Sequence, residues 1–248
     1  MKIAVCVNHV PDTAAKINIS SDGKSIDNTG VTYVVNPYDE FAIEEALKTK
    51  EKFGGDTIAI SLGNESNKET LRKALAMGID NAVLLKTEEY YDSLSVAKAL
   101  AAEIKAQNSG LVFFGKQSVD FDNSIVGQLT AELLNYNCVS VVVEFELKEN
   151  KIIADREIEG GKEVVETLLP AVITTQKGLN DPRYASLKGI MAAKKKVIEE
   201  KTLAKPNNFT EVIGMKKPAP KQPGKIIGTD SSAVPELVRL LREEAKVI

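Results

Sequence analysis

Residues 120–127, Asp-Phe-Asp-Asn-Ser-Ile-Val-Gly, are the segment whose residue types and spacing best suit a chemical task. They follow a predicted strand and enter a predicted helix at residues 122–134. A helix beginning at such a loop presents unpaired backbone amides and the positive end of its dipole, which favour an anion. Asn123 and Ser124 could bind phosphate oxygens, whereas Asp122, Asn123 and Ser124 could equally cap the helix. The pattern therefore predicts a phosphate site or a simple helix cap.

A second segment matches a phosphate-binding loop only in part. Residues 110–116 have the glycine and lysine spacing of the Walker A motif. Gln117 stands where that motif needs a serine or threonine to hold magnesium. The four residues between the glycines are apolar and predict a strand, so we reject a Walker A site.

Groups for nucleophilic or metal chemistry are scarce. His9 is the only histidine, and Cys6 and Cys138 are the only cysteines, which is too few for a structural zinc site. A disulfide is not excluded by the count, but free buried thiols are the expectation. The sequence predicts no metal site and no bond-making catalysis of its own.

The composition is that of a globular protein. Hydrophobic residues make up 43% and charged residues 27% of the 248 residues. The net charge of −3 provides no basic surface for a phosphate backbone, and an aromatic share of 5% provides few surfaces for stacking bases. We expect no nucleic-acid partner.

The first half of the chain alternates between strand and helix patterns. Strands are predicted at residues 2–7, 57–61, 82–85 and 111–114, and helices at residues 39–53, 66–77, 95–107 and 122–134. This alternation predicts an α/β fold with a doubly wound, mostly parallel sheet of Rossmann-like type. Ligands of such sheets bind at the carboxyl ends of the strands, where the strand order reverses.

The second half adds strands and then an arm. Strand patterns occupy residues 139–147, 151–158, 164–169 and 171–174, with a hairpin turn at Gly160-Gly161 and a stop at Pro170. We expect these strands to extend the same sheet. Residues 205–228 combine prolines and lysines without an apolar period, which predicts an extended arm.

The last predicted element is an amphipathic helix over residues 235–246. Its apolar side contains Leu237, Val238, Leu240 and Leu241. We expect residues 1–204 to form the α/β domain and residues 205–248 to pack on a partner subunit, with packing on the chain's own domain as the alternative. The sequence shows no signal peptide, transit segment or apolar run near about 18 residues, so a cytoplasmic, not membrane-embedded, protein is expected.

Four stretches carry a resemblance to a known family: Asn36-Pro-Tyr-Asp39, residues 115–131, residues 154–174 and residues 179–191. Together they resemble the beta subunit of electron transfer flavoproteins, over Lys2 to about Lys201. Four ordered motifs are more specific than any one alone. The resemblance implies a nucleotide-binding domain of a heterodimer, paired with an alpha subunit.

The resemblance also implies a bound AMP. The implied contact residues are Cys6, Asn36, Pro37, Tyr38, Asp39, Leu62, Asp120, Phe121, Asp122, Asn123, Ser124, Ile125, Val126, Gly127, Gln128, Leu129, Thr130 and Ala131. Phe121 and Ile125 stand where AMP-binding members are more polar. Members that bifurcate electrons hold a second FAD at this place, and their usual loop, Asp-Gly-Asp-Thr-Ala-Gln-Val-Gly, is matched only in part. AMP is therefore expected, with a second FAD as the alternative.

The electron-carrying FAD belongs mainly to the alpha subunit in this family. The resemblance places Thr13 and Glu163, with Tyr38 as a further candidate, close to that flavin. A carboxylate beside a flavin disfavours the anionic reduced form and so tunes its potential. A solvated hairpin position is the alternative for Glu163.

The resemblance finally implies a recognition loop for dehydrogenases within residues 183–196. Leu187 matches the leucine that inserts into a dehydrogenase, and the implied docking residues are Arg183, Tyr184, Leu187, Ile190 and Met191. An exposed apolar anchor flanked by charge suits a fast, transient contact.

The function implied is electron shuttling from acyl-CoA and other dehydrogenases to a membrane quinone oxidoreductase, as in fatty acid oxidation. A bifurcating electron transfer flavoprotein is the alternative within the family. Two other classes remain open from the residues alone. They are a nucleotide hydrolase on the same sheet and a module that senses adenine nucleotides.

Overall fold

A computed structural model describes residues 1–221 and 223–248 of the chain. Nine strands form the main sheet, in the order β11-β10-β9-β12-β8-β1-β6-β7-β13. Their bounds are β1 Lys2–Cys6, β6 Asp56–Gly63, β7 Asn81–Lys86, β8 Leu111–Gly115, β9 Asn137–Lys148, β10 Lys151–Ile158, β11 Gly161–Leu168, β12 Ala171–Thr175 and β13 Glu199–Thr202. Two small antiparallel sheets pair β2 (His9–Pro11) with β5 (Tyr33–Val35), and β3 (Asn18–Ile19) with β4 (Ile26–Asp27).

The sheet is mostly parallel, as predicted. Strands β13, β7, β6, β1, β8, β12 and β9 pair in parallel, whereas β9, β10 and β11 pair antiparallel. The predicted hairpin is thus β10 and β11, and it extends the same sheet. Gly160 has a φ of 82°, which a glycine adopts without strain at this turn.

The helices are α1 Pro37–Phe53, α2 Asn67–Met77, α3 Ser93–Ala106, α4 Val126–Leu134, α5 Leu187–Lys195 and α6 Val234–Glu243. Side chains of successive residues of β1 point to opposite faces of the sheet. Ile3 and Val5 pack in the cluster that contains α1 and α2, whereas Ala4 and Cys6 pack in the cluster that contains α3 and α4. The sheet therefore has helices on both faces, which confirms the doubly wound class.

Several local predictions differ from the structure. Helix α4 begins at Val126, four residues after the predicted start, and no side chain caps it. The φ angles of Asp122 and Ser124 are both 52°, in the left-handed region, so the chain cannot be helical at those residues. The prediction that Asp122, Asn123 and Ser124 cap this helix is wrong, because Ile125 occupies the N-cap position and no side chain accepts a capping hydrogen bond there.

The two cysteines are both free, but only one is buried. Cys6 is buried at the end of β1, and Cys138 is exposed at the start of β9. Because side chains alternate along a strand and Val139 faces the core, Cys138 points to the other side. The prediction of a buried thiol is therefore wrong for Cys138.

The carboxyl-terminal arm has no strand or α-helix until α6, within the described residues. Position 222 of the predicted arm lies outside the described residues. A short 3₁₀ helix, Ser231–Ala233, precedes α6. No helix of the described chain has the length and apolar character needed to cross a membrane.

Candidate functional site

A cavity of about 320 Å³ opens at the carboxyl ends of β1, β6 and β8. Within the sheet, β6 and β7 follow β1 on one side of it, and the chain then returns to place β8 on the other side of β1. This is the point where the strand order reverses. Doubly wound sheets bind their ligands at such a point, because the loops separate there.

Asp39, at the start of α1, joins the strand ends below the cavity. Its carboxylate accepts hydrogen bonds from the backbone N–H groups of Asn8, at 2.7 Å, and Gly115, at 3.0 Å. The Asn36 amide donates to the same carboxylate at 2.9 Å. Burial raises the pKa of Asp39 to about 7, although these donors lower it. Asp39 therefore acts as a buried acceptor that holds β1 and β8 together.

The loop between β8 and α4 is tied to β1 by polar side chains. The Asn8 amide donates to Ser118 Oγ at 2.7 Å and to Asp120 Oδ2 at 3.0 Å. Further along, Gln117 Nε2 donates to Asp122 Oδ1 at 2.7 Å, and Ser124 Oγ donates to Gln117 Oε1 at 3.0 Å. The loop side chains are thus engaged with one another, which leaves the first turn of α4 without a side-chain cap.

The first turn of α4 is the part of the cavity wall best suited to an anion. The amides of Val126, Gly127 and Gln128 have no partner within the helix, because they belong to its first turn. Val126 and Gly127 line the cavity. A Cβ at Gly127 would lie 2.6 Å from Thr174 Cγ2, so only glycine lets the helix approach β12 this closely. A helix end of this kind binds phosphate through its amides and dipole.

Charged side chains around the cavity are mostly acidic. Asp39, Glu89 and Asp120 line it, and Lys116 is the lysine among its lining residues. The Lys116 ammonium lies 5.2 Å from the centre of the Tyr38 ring. A phosphate bound at α4 would therefore be held mainly by backbone amides rather than by ion pairs.

The structure brings many of the predicted nucleotide residues together. The cavity is lined by Cys6, Asp39, Leu62, Asp120, Phe121, Asn123, Ser124, Ile125, Val126 and Gly127. The other predicted positions, Asn36, Pro37, Tyr38, Asp122, Gln128, Leu129, Thr130 and Ala131, do not line it. Asn36 is buried and donates to Gln117 O at 2.9 Å, and Thr130 Oγ1 donates to Val126 O at 2.8 Å. Asn36 and Thr130 therefore stabilise the loop and the helix that form the cavity wall, without lining the cavity themselves.

The sequence did not predict one wall of the cavity. It is the loop between β7 and α3, which contributes Thr87, Glu89, Tyr90 and Tyr91, together with Ser93 at the start of α3. The Tyr90 and Phe121 rings lie 6.2 Å apart at this wall. The loop follows the predicted strand at residues 82–85. The rule that ligands bind at carboxyl strand ends was therefore the signal that could have identified it.

Thr13 and Glu163 lie outside the cavity. Thr13 is exposed in the turn after β2, and Glu163 is exposed on β11. Glu163 Oε2 accepts a hydrogen bond from Arg156 Nη1 at 3.2 Å. The Glu163 charge is therefore partly balanced by its neighbour on β10.

The predicted recognition loop contains helix α5. Tyr184 is 98% exposed, Leu187 is 84% exposed and Met191 is 59% exposed. Ile190 is also on the surface, whereas the Arg183 side chain is directed to α1. The sequence had not predicted a helix at α5. Ser186 caps it by accepting from the Gly189 N–H at 3.0 Å.

Comparison with known proteins decides the family. A model of the electron transfer flavoprotein domain matches residues 24–206. The chain is 40% identical to the electron transfer flavoprotein subunit beta of Bacillus subtilis, with 100% of both chains covered. It is 38% identical to the corresponding subunit of Bradyrhizobium diazoefficiens and 38% identical to the mitochondrial one of Arabidopsis thaliana, again over 100% of each chain.

The chain belongs to the electron transfer flavoprotein beta-subunit family. An electron-transport role as part of a flavoprotein follows from this membership. The match begins in the β3–β4 hairpin and ends at the start of the arm, so it includes the loop between β8 and α4, the β10–β11 hairpin and α5.

Proposed function

We propose that this family member forms a heterodimer with an electron transfer flavoprotein alpha subunit, binds AMP and braces the FAD that the alpha subunit holds. Electrons then pass from acyl-CoA and other dehydrogenases to a membrane quinone oxidoreductase. The bound FAD supplies the redox chemistry. The observation that carries the proposal is the uncapped amino terminus of α4 at the sheet's reversal point, in a chain of this family.

The cavity supports AMP as the nucleotide. Its volume of about 320 Å³ is near the lower end of the range for small-molecule sites, which suits a mononucleotide better than a dinucleotide. The amides of Val126, Gly127 and Gln128 would hold the phosphate. The apolar and aromatic wall, with Tyr90, would contact the base.

Counting the cofactors of the natively purified heterodimer tests this proposal. Denaturing extraction followed by chromatography should release one FAD and one AMP per heterodimer. Two FAD per heterodimer would contradict the AMP proposal and establish the bifurcating alternative. A heterodimer that contains no adenine nucleotide would contradict the proposal that the cavity binds one.

We further propose that the chain performs no bond-making catalysis of its own. The Asp39 carboxylate is engaged by three N–H donors, so it is arranged to hold loops rather than to exchange protons with a substrate. An ATP turnover assay on the purified heterodimer should give no more phosphate than buffer alone. Measurable turnover that is lost on changing cavity residues would favour a hydrolase.

The exposed side chains around α5 support dehydrogenase docking. A large apolar side chain that is almost fully exposed, such as Leu187, provides an anchor for a partner pocket. Leu187→Ala should lower the rate of electron transfer from a reduced acyl-CoA dehydrogenase and leave the FAD and AMP content unchanged. Loss of flavin from this variant would show that the docking site is misplaced.

A further inference from the structure

The Arg183 guanidinium makes four hydrogen bonds to two carboxylates of α1, Glu44 and Glu51. Its Nε donates to Glu44 Oε2 at 2.8 Å and its Nη2 donates to Glu44 Oε1 at 2.9 Å. Its Nη1 donates to Glu51 Oε1 at 2.5 Å, and its backbone N–H donates to Glu44 Oε2 at 3.0 Å. The Glu44 side chain is only 7% exposed. Paired donors on a buried carboxylate give a well-defined geometry, so Arg183 is oriented towards α1 and not towards a partner.

The preceding turn is fixed to the same helix. Asn180 Nδ2 donates to Phe41 O and to Glu45 Oε2, both at 3.0 Å. Residues 180–183 therefore contact α1 through two side chains that use different acceptors. The segment enters α5 from a fixed position.

The carboxyl end of α5 is held separately by α2. Arg72 Nη1 donates to the carbonyl oxygens of Ala193 and Lys196. Lys196 Nζ donates to Ile79 O, just beyond α2, at 2.7 Å. A Cβ at Gly189 would lie 2.3 Å from Ala76 O, so α5 packs on α2 at a distance that only glycine permits.

The docking segment, residues 183–195, is thus attached at both ends while its apolar side chains remain exposed. We propose that Arg183 is a positioning residue, an internal latch that preforms the docking segment for a dehydrogenase, with Arg72 holding the other end. This inference rests on the proposed docking function. A segment that is already ordered loses less conformational freedom on binding, and the affinity for the partner rises accordingly.

Arg183→Gln in the cofactor-loaded heterodimer tests the latch. Amide hydrogen exchange of residues 183–193, without dehydrogenase, should become faster. The KM for a reduced acyl-CoA dehydrogenase should rise about tenfold, with kcat and cofactor content close to those of the unchanged protein. Lys148→Gln is the control, because it removes one positive charge from the exposed end of β9, where Lys148 pairs with Glu146.

Changing Glu44, the ion-pair partner of Arg183, provides a second test of the latch. Glu44→Gln should raise exchange and KM in the same way, and Arg183→Gln combined with Glu44→Gln should be no worse than the more severe single change. If Arg183→Gln does not fold, Glu51→Gln removes only the exposed half of the latch and should give smaller effects of the same sign. An unchanged KM in these variants would overturn the latch, as would fully additive losses.

Leu187→Ala separates the two proposals. If Leu187→Ala weakens transfer and the Arg183 variants do not, docking is correct and the latch is wrong. If Leu187→Ala leaves transfer unchanged, the docking function fails and the latch for it fails with it.

Discussion

At the scale of single residues, the proposed nucleotide site depends on a close contact between Gly115 and Asp39. A Cβ at position 115 would lie 2.4 Å from Asp39 Oδ1 and 2.7 Å from Tyr38 Cβ. These atoms belong to the first turn of α1, where Asp39 is buried and lines the cavity. The end of β8 can therefore meet α1 only where the side chain is absent.

Gly115→Ala should separate β8 from Asp39 and disturb the loop that leads to α4. We expect a loss of about 1–3 kcal/mol in the free energy of unfolding, as for other overpacked positions, together with a lower AMP content. Gly110→Ala is the matched control at the other end of β8, because nothing lies within 4 Å of its Cβ. Denaturation and nucleotide extraction measure both effects, and equal losses in the two variants would contradict the proposed contact.

The raised pKa of Asp39 predicts that the stability of the folded protein depends on pH. Its pKa of about 7 in the folded protein lies above the ordinary value of 3.8, mainly because of burial. The folded state therefore binds this proton more tightly than the unfolded state does. The contribution of this proton to the free energy of unfolding is fully present below about pH 4 and is lost as the pH rises to about 7.

Asp39→Asn removes this ionisation. Between pH 5 and pH 8, the chemical denaturation midpoint of the unchanged heterodimer should fall relative to that of the variant. The comparison cancels the titration of groups that both proteins share. A midpoint difference that does not change with pH would show that Asp39 ionises normally in the folded protein.

At the scale of elements, the first part of the arm is attached to the domain through Asp92. Its carboxylate caps α3 by accepting from Ser95 N at 2.8 Å. It also accepts from the backbone N–H groups of Phe209, at 2.6 Å, and Thr210, at 3.0 Å. Although burial by itself raises it, these hydrogen bonds lower the pKa of Asp92 to about 2. The extended arm that the sequence predicts is therefore not free at its start.

Asp92→Ala should release this part of the arm. Loss of the helix cap should lower the free energy of unfolding by about 1 kcal/mol. Limited proteolysis should cut residues 205–215 faster, because Phe209 and Thr210 lose their acceptor. Asp230→Ala is the control, since it removes the cap of the short 3₁₀ helix, where Asp230 accepts from Ser232 N at 2.8 Å. Equal cleavage of the two variants within residues 205–215 would argue against attachment through Asp92.

At the scale of the whole molecule, α6 has an apolar stripe that the described part of the chain leaves uncovered. Leu237 and Val238 are both exposed, and no residue of α6 is buried. An isolated helix of ten residues is marginal in water, so its stability must come from packing. This agrees with the expectation from the sequence that residues 205–248 pack on a partner subunit, which we propose is the alpha subunit.

Leu237→Asp should weaken the heterodimer about tenfold or more, because a charge replaces an apolar contact at the proposed interface. Co-purification of the alpha subunit and its FAD should decrease, while the circular dichroism of the remaining chain should be nearly unchanged. Arg242→Gln, on the polar side of α6, should leave the heterodimer intact. Normal co-purification of the Leu237 variant would show that α6 packs elsewhere.

The elements differ in how well the sequence predicted them. Strands such as β1 and β8 were found because a strand covered on both faces is continuously apolar. Strand β13, with the sequence Glu-Glu-Lys-Thr, was missed because an edge strand can be charged on every exposed position. Helix α5 was missed because its position depends on contacts with α1 and α2 that lie more than a hundred residues away.

The sequence by itself determined the doubly wound class, the family and the loop that enters α4, because apolar periodicity and ordered motifs are local properties of the chain. Only the tertiary structure decided where individual side chains point. It directed Arg183 to Glu44, brought Tyr90 into the cavity wall and placed Asp39 between β1 and β8. These contacts join residues distant in sequence, and long-range hydrogen bonds and packing leave no periodic pattern in the chain.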